Sequence, residues 1–193
     1  MAKESIIIAA LGLFLRRGYK SVSLIDVANE LGITKGGIYH YFSSKDELLR
    51  TALNFFFQRF EAKYTDLLSD KYSIQEVLHS LMVDDAFERY SKELFRLERE
   101  SSVDHIHFMI EMMRVFPDIQ EKIQQSQIWI CEALAKRIQV AVDSGQIKSN
   151  IDSYALAANI LAIVNGQKSL GSYYRFPELR QRMMDNIWSL MNT

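Results

Sequence analysis

The 193-residue chain is poor in cysteine and proline, and its net charge of −1 favours neither sign. Its lone Cys131 excludes an internal disulfide and any zinc site built on cysteine thiolates, and suits a reducing compartment. Only Pro117 and Pro177 interrupt the backbone, so long helices are expected. Neither a nucleic-acid partner nor an acidic membrane is advertised at whole-chain level. Long apolar runs are missing as well. Ile6 to Leu15 covers ten residues, where a bilayer span needs about 20. Glu4 stands where a signal peptide would be basic, and Arg16-Arg17 follow where a small-residue cleavage site belongs, so a buried first helix is expected. Repeats and low-complexity tracts are absent.

What is present is an ordinary globular composition, 48% apolar and 24% charged, in a length of about 1.3 domains. The charge is unevenly divided. Residues 1–50 carry seven Lys/Arg against five Asp/Glu, a surplus of +2, while the remainder carries 16 against 19, a deficit of −3. Five of the eight glycines (Gly12, Gly18, Gly32, Gly36, Gly37) also fall in this first stretch and cut it into short helices. The pattern predicts helices over about 3–17, 23–32, 35–42 and 44–69, the second and fourth opened by Ser23…Asp26 and Ser44…Glu47 capping boxes. Longer helices are expected over 73–99 (with a break), 102–115, 118–144, 152–174 and from Pro177 onward. The β-branched residues follow helical periods, so the fold class is all-α, about nine helices: a head at 1–46 and a larger helical domain at 47–193.

Ser23 to Lys45 is the dense signal. Read as a helix-turn-helix, it places Ala28 at a close helix crossing and Gly32 at a turn that requires positive φ. Val27, Leu31, Ile33 and Ile38 make the small core, leaving one face of the next helix outward. That face is unusual, with Gly36 and Gly37 inside a short helix and Tyr39, His40, Tyr41 and Phe42 crowding its end. Glycines let backbone approach a phosphate or a base edge, hydroxyl and imidazole groups bond phosphate, and Lys35 and Lys45 add charge. The plainer alternative for each aromatic, taken singly, is core packing.

The run from Ser23 to Leu48, and above all Lys35-Gly-Gly-Ile-Tyr-His-Tyr-Phe-Ser-Ser-Lys45, closely resembles the DNA-binding domain of the TetR family of bacterial regulators. The resemblance covers about residues 3–60 in detail. It implies that Thr34, Lys35, Gly36 and Gly37 meet the major groove, with Tyr39, His40 and Tyr41 on backbone and base edges and Ser23 and Lys45 on phosphates. Gly37 stands where many relatives have a side chain, which shifts sequence reading toward Lys35, His40 and DNA shape. It further implies a cytoplasmic homodimer, a repressor released from a palindromic duplex operator by a small hydrophobic or amphipathic ligand. The residues themselves offer no membrane span, metal-ligand set or catalytic constellation, and no cofactor is expected.

Beyond residue 50 lie a small-residue stripe (Ala155, Ala158, Ala162, Gly166, Ser169) and an apolar stripe (Leu179, Met183, Ile187, Leu190), which the family resemblance implies build a four-helix dimer interface, the alternative being burial within one subunit. The resemblance also implies an effector pocket, for which Phe60, Tyr64, Phe87, Tyr90, His105, Phe108, Met109, Met112, Trp129 and Asn165 are the candidates, plain core packing being the alternative for each taken singly. On the helix over 102–115, Val103, Ile106, Ile110 and Met113 are expected to face inward, and Asp104, His107 and Glu111 to lie on a solvated face rather than hold a metal. The rival reading is an all-helical small-molecule-binding protein or enzyme whose N-terminal helices are merely structural.

Overall fold

The computed structural model describes residues 2–84, 86–95, 105–169, 174 and 176–192. Among these the regular structure is helical, without a strand. The helices are α1 (Ala2–Arg17), α2 (Leu24–Glu30), α3 (Lys35–Tyr39), α4 (Lys45–Leu67), α5 (Ile74–Met82), α6 (Ala86–Leu94), α7 (His105–Val115), α8 (Pro117–Asp143), α9 (Ser153–Ser169) and α10 (Pro177–Met191). None is long and apolar enough to cross a membrane.

Among the described residues there are ten helices against an expected nine or so, because the stretch beginning at Ser73 holds two, divided by the break expected there. Ser73 and Glu76 form a reciprocal capping box at the start of α5. The Val83 and Asp84 N–H groups both turn back to the His79 carbonyl, and the His79 ring meets the Asp84 carboxylate at 3.2 Å. An acid such as Asp84 is disfavoured at the negative end of a helix dipole, in keeping with the stop here. The expected end of this stretch at Arg99 and the expected start at Ser102 lie outside the described residues.

The chain divides into two compact units. The first comprises Met1–Glu61 and Glu88–Gln120. The apolar face of α1 (Ile6, Ala10, Leu13, Phe14) is buried as its spacing predicts, together with Val27, Ala28, Ile38, Phe42, Leu48 and Leu49. Each of the larger of these side chains contributes roughly 1.5–3 kcal/mol by leaving water. Phe56 stacks on Phe60 at 4.3 Å and on Phe95 at 5.8 Å between centroids. On α7 the inward residues are Phe108 and Met112, continued by Phe116, whereas Ile110 is exposed. The expected Ile110 face is therefore corrected. The bulkiest side chains recur at i, i+4 and i+8 and take the interior, turning Ile110 outward. Val103 lies outside the described residues, as does the side chain of Ile106.

The second unit comprises Ala62–Phe87 and Glu121–Thr193. Here α5 contributes Val77, Leu78 and Met82, α8 contributes Leu134 and Ile138, and α9 contributes Ala157, Ile160, Leu161 and Val164. Arg180, at the start of α10, is 4% exposed and donates Nε–H to the Met82 carbonyl at 2.8 Å. A guanidinium thus satisfies a carbonyl at the end of α5, where a helix dipole favours a cation. Asp152 caps α9 by accepting from the Tyr154 and Ala155 amides at 3.0 and 2.9 Å. Pro177 occupies the first turn of α10, as expected.

Candidate nucleic-acid interface

The head is assembled by short-range rules. Gly18 ends α1 with φ +75°, its N–H bonded to the Phe14 carbonyl at 2.9 Å. Ser23 then caps α2: its Oγ accepts from the Asp26 amide at 3.2 Å, and the Asp26 carboxylate accepts from the Ser23 amide at 2.7 Å and its hydroxyl at 2.5 Å. These bonds hold the Asp26 carboxyl below the usual carboxylate range, the hydroxyl contact having the largest effect. Gly32 turns the chain with φ +65°, and no atom lies within 4 Å of where its Cβ would sit. Backbone conformation alone, not crowding, demands glycine there. The Ile33 amide closes the turn onto the Ala28 carbonyl at 3.0 Å. Ala28 is 1% exposed, in keeping with a crossing where little beyond a Cβ fits.

Thr34 caps α3, its Oγ1 accepting from the Gly37 amide at 3.1 Å. The helix ends at Tyr39, three residues short of the expected Phe42, although the Phe42 amide still bonds back to the Ile38 carbonyl at 3.1 Å, and the Phe42 ring is buried. Ile38 faces inward and fully buried. Lys35, Gly36, Tyr39, His40 and Tyr41 are exposed, and Gly37 is half-buried. A Cβ on Gly36 would approach nothing closer than Thr34 Oγ1 at 4.0 Å. Neither internal packing nor a positive φ requires glycine at Gly36, so the bare backbone faces outward with room for an external group. Lys35 Nζ stands 5.9 Å from the Tyr39 ring centroid, and the His40 and Tyr41 rings meet edge to face at 5.1 Å.

The structure also commits two of the expected phosphate contacts internally. The Ser23 hydroxyl is engaged with Asp26. Lys45, half-buried, donates from Nζ to the Tyr19 carbonyl at 3.0 Å and stands 4.2 Å from the Tyr19 ring centroid. An ammonium has three donors, so this bond uses one of them. The capping box at the head of α4 is shifted from the expected one. The Glu47 amide donates to Ser44 Oγ, but the Glu47 carboxylate accepts from the amide and hydroxyl of Ser43, which depresses its pKa.

Tyr19 carries a role that the sequence reading missed. It is buried, its hydroxyl donates to Asp46, and its ring packs against Phe14 and Phe116. Burial, followed by the bond to Asp46, pushes its phenol well above the ordinary value. Nearby, Arg50 pairs with Asp118 and lies 5.0 Å over the Phe116 ring. Glu111, expected to be solvated, is half-buried and accepts from the Tyr19 amide at 3.4 Å. An aromatic directly after a helix-ending glycine was the available signal.

The expected effector residues fall in both units. In the first, Phe60 stacks on Phe56 and meets Tyr90 edge-on at 5.7 Å, Phe108 and Met112 are buried, and Met109 is half-buried. In the second, Tyr64 stacks on Phe87 at 4.1 Å, Trp129 is half-buried and Asn165 is exposed. Burial raises the Tyr64 phenol to about 12. The His105 side chain lies outside the described residues. Of the expected dimer residues, Ala155, Ala158, Ala162 and Leu190 are exposed, while Gly166, Leu179, Met183 and Ile187 are half-buried. The Ser169 side chain is outside the described residues. A groove of about 660 Å³ runs along Ala162, Gly166, Met183, Ile187 and Leu190.

A capped, glycine-turned pair of short helices with an outward cationic and aromatic face defines a helix-turn-helix protein. Residues 6–52 match the family described as bacterial regulatory proteins, tetR family. Over 58 residues the chain is 45% identical to the HTH-type transcriptional regulator YuxN of Bacillus subtilis, covering 30% of this chain and 20% of that one. Over 74 residues it is 31% identical to the transcriptional repressor KstR2 of Mycobacterium tuberculosis, covering 38% and 37%. Over 92 residues it is 30% identical to the biofilm operon negative regulator IcaR of Staphylococcus epidermidis, covering 47% and 50%. The chain spans between a fifth and a half of the length of these relatives. A TetR-family regulator from Cytophaga hutchinsonii shares the fold over 98% of this chain and 92% of its own, with a TM-score of 0.75 at 16% identity. The match to the TetR family thus lies in the N-terminal helices, residues 6–52.

Proposed function

We propose that this protein is a sequence-specific DNA-binding transcriptional regulator, a cytoplasmic homodimeric repressor released from a palindromic operator by a small hydrophobic or amphipathic ligand. The observation that carries the reading is the exposed face of Lys35, Gly36, Tyr39, His40 and Tyr41, held on a short helix by the Thr34 cap and the Gly32 turn. That KstR2 is a transcriptional repressor and IcaR a negative regulator supports repression.

In this reading Lys35 and the bare backbone of Gly36 and Gly37 enter the major groove. Tyr39, His40 and Tyr41 contact phosphates and base edges, and the remaining donors of Lys45 neutralise a phosphate. One recognition helix of this size binds weakly, so two are joined through the exposed faces of α9 and α10. Ligand taken up among the aromatic residues of the helical body favours one packing over another. The spacing of the two recognition helices then departs from the roughly 34 Å that one DNA turn demands.

Footprinting on the duplex upstream of the protein's own gene tests this. Two protected half-sites about one helical turn apart are expected. No protection, together with turnover of a small molecule, would establish the enzymatic alternative.

A further inference from the structure

Among residues 2–60 the exposed large apolar side chains are Ile25, Tyr39 and Tyr41. Both tyrosines belong to the face already described. Ile25, 43% exposed, sits instead in the first turn of α2. A lone isoleucine at a surface is ordinary, and exposure by itself assigns it nothing. The flank it occupies does.

Successive side chains of an α-helix are turned by about 100°. Leu24, Val27 and Ala28 are buried and mark the inward side of α2. Glu30 is tied to Arg16 of α1 at 2.8 Å, so its flank of α2 is the one beside α1. Ile25 lies about 140° round the helix from Glu30 and about 60° from Ala28, the residue at the crossing with α3. Ile25 therefore projects from the flank turned away from α1, on the side where α3 crosses.

The chemistry of α3 leaves a gap that this side chain fits. Lys35, Tyr39, His40 and Tyr41 offer donors and rings, while Gly36 and Gly37 offer bare backbone. No exposed position from Lys35 to Tyr41 carries an apolar aliphatic side chain. In the major groove the C5-methyl group of thymine is read by apolar contact. A β-branched side chain is stiff at χ1, so it loses little freedom in making such a contact.

We infer that Ile25 is a base-reading residue: in each half-site its side chain covers the C5-methyl group of one thymine beside the bases met by α3. The inference rests on the sequence-specific DNA binding proposed above and gives it a contact outside the recognition helix. The contact carries no charge. It adds to the preference between sequences and leaves the phosphate attraction common to all duplexes unchanged.

Anisotropy titrations of the full chain and of Ile25→Ala test it, on the duplex upstream of the protein's own gene and on copies carrying deoxyuridine for one thymine at a time, at the equivalent position of both half-sites. That exchange removes the methyl group and keeps the base pair. One position is expected at which deoxyuridine raises the Kd of the unsubstituted chain about fifteenfold, roughly fourfold for each of two methyl groups. Ile25→Ala is expected to bind the thymine duplex at least about tenfold more weakly, and the thymine and deoxyuridine duplexes within about twofold of each other. Ile25→Val, which keeps the branched carbon, should retain the thymine preference, and the salt slope should be the same for all three proteins. Equal affinity of Ile25→Ala and the unsubstituted chain for the upstream duplex would overturn the contact. So would a deoxyuridine penalty of equal size in both proteins, or no position at which the methyl group matters. An unsubstituted chain that binds the upstream duplex and a scrambled one equally refutes sequence-specific binding itself, a separate and recognisable result.

Discussion

Lys45 Nζ is bonded to the carbonyl oxygen of Tyr19 at 3.0 Å and lies over the same residue's ring at 4.2 Å. The cation proposed to neutralise a phosphate therefore also locks the start of the α1–α2 connection to the start of α4. Lys45→Met keeps the aliphatic stem and removes the charge. It is expected to weaken binding to all duplexes alike, with the slope of log K against log salt falling by about 1. It should also lower stability by about 1–2 kcal/mol through the lost bond and cation–π contact. Anisotropy titrations at several salt concentrations, beside a urea melt, separate the two effects. A loss confined to one operator sequence would sink the phosphate assignment.

Gly36 separates stability from binding. Its Cβ position is open, so Gly36→Ala should stabilise α3 by up to about 1 kcal/mol and raise Tm by roughly 2–4 °C. Operator affinity is expected to fall, because the added methyl group holds the backbone away from DNA. A variant both more stable and equally tight on DNA would show that Gly36 makes no close approach.

Acid should loosen the head at its caps. The carboxyl groups of Asp26 and Glu47 lie below their ordinary range, chiefly through bonds from the hydroxyls of Ser23 and Ser43. A carboxylate with a depressed folded-state pKa adds stability above its unfolded pKa, and that stability is lost as pH falls through the folded value. Thermal stability is thus expected to drop below about pH 4, and the Asp26→Asn, Glu47→Gln double variant to show a flatter profile. Melts at pH 7, 4 and 3 measure it. An unchanged profile in the double variant would place the acid sensitivity elsewhere.

Arg180 ties α10 to α5 from a buried position. Arg180→Met keeps the side-chain volume but leaves the Met82 carbonyl without this donor. A stability loss of about 2–3 kcal/mol is expected in urea unfolding, without a direct effect on DNA contacts. A loss under 0.5 kcal/mol would mean that water or another donor serves that carbonyl.

The local rules of the head were legible because each acts over a few residues. Ser23 and Thr34 cap where their spacing places them, and Gly32 takes the positive φ its turn demands. Tyr19 was not legible. Its role depends on Asp46, Glu111 and Phe116, which are distant in sequence and joined only by folding. The same holds for Arg180, which reads as an ordinary surface cation until its carbonyl partner 98 residues away is in place. On α7, periodicity gave a helix but not its phase, because aromatic and aliphatic residues occur on several sides and volume chose Phe108 over Ile110. On α9, Ala157 and Ala158 look alike in sequence, yet one is buried and the other exposed.

The central claim is sequence-specific binding of duplex DNA through the face of α3. Its most direct test is competition anisotropy of the full chain at two salt concentrations, with the duplex upstream of its own gene against a scrambled duplex of equal length. The account predicts at least about a thousandfold preference for the upstream duplex, largely retained when salt is raised. Equal affinity for both duplexes, or retention of neither, would contradict it.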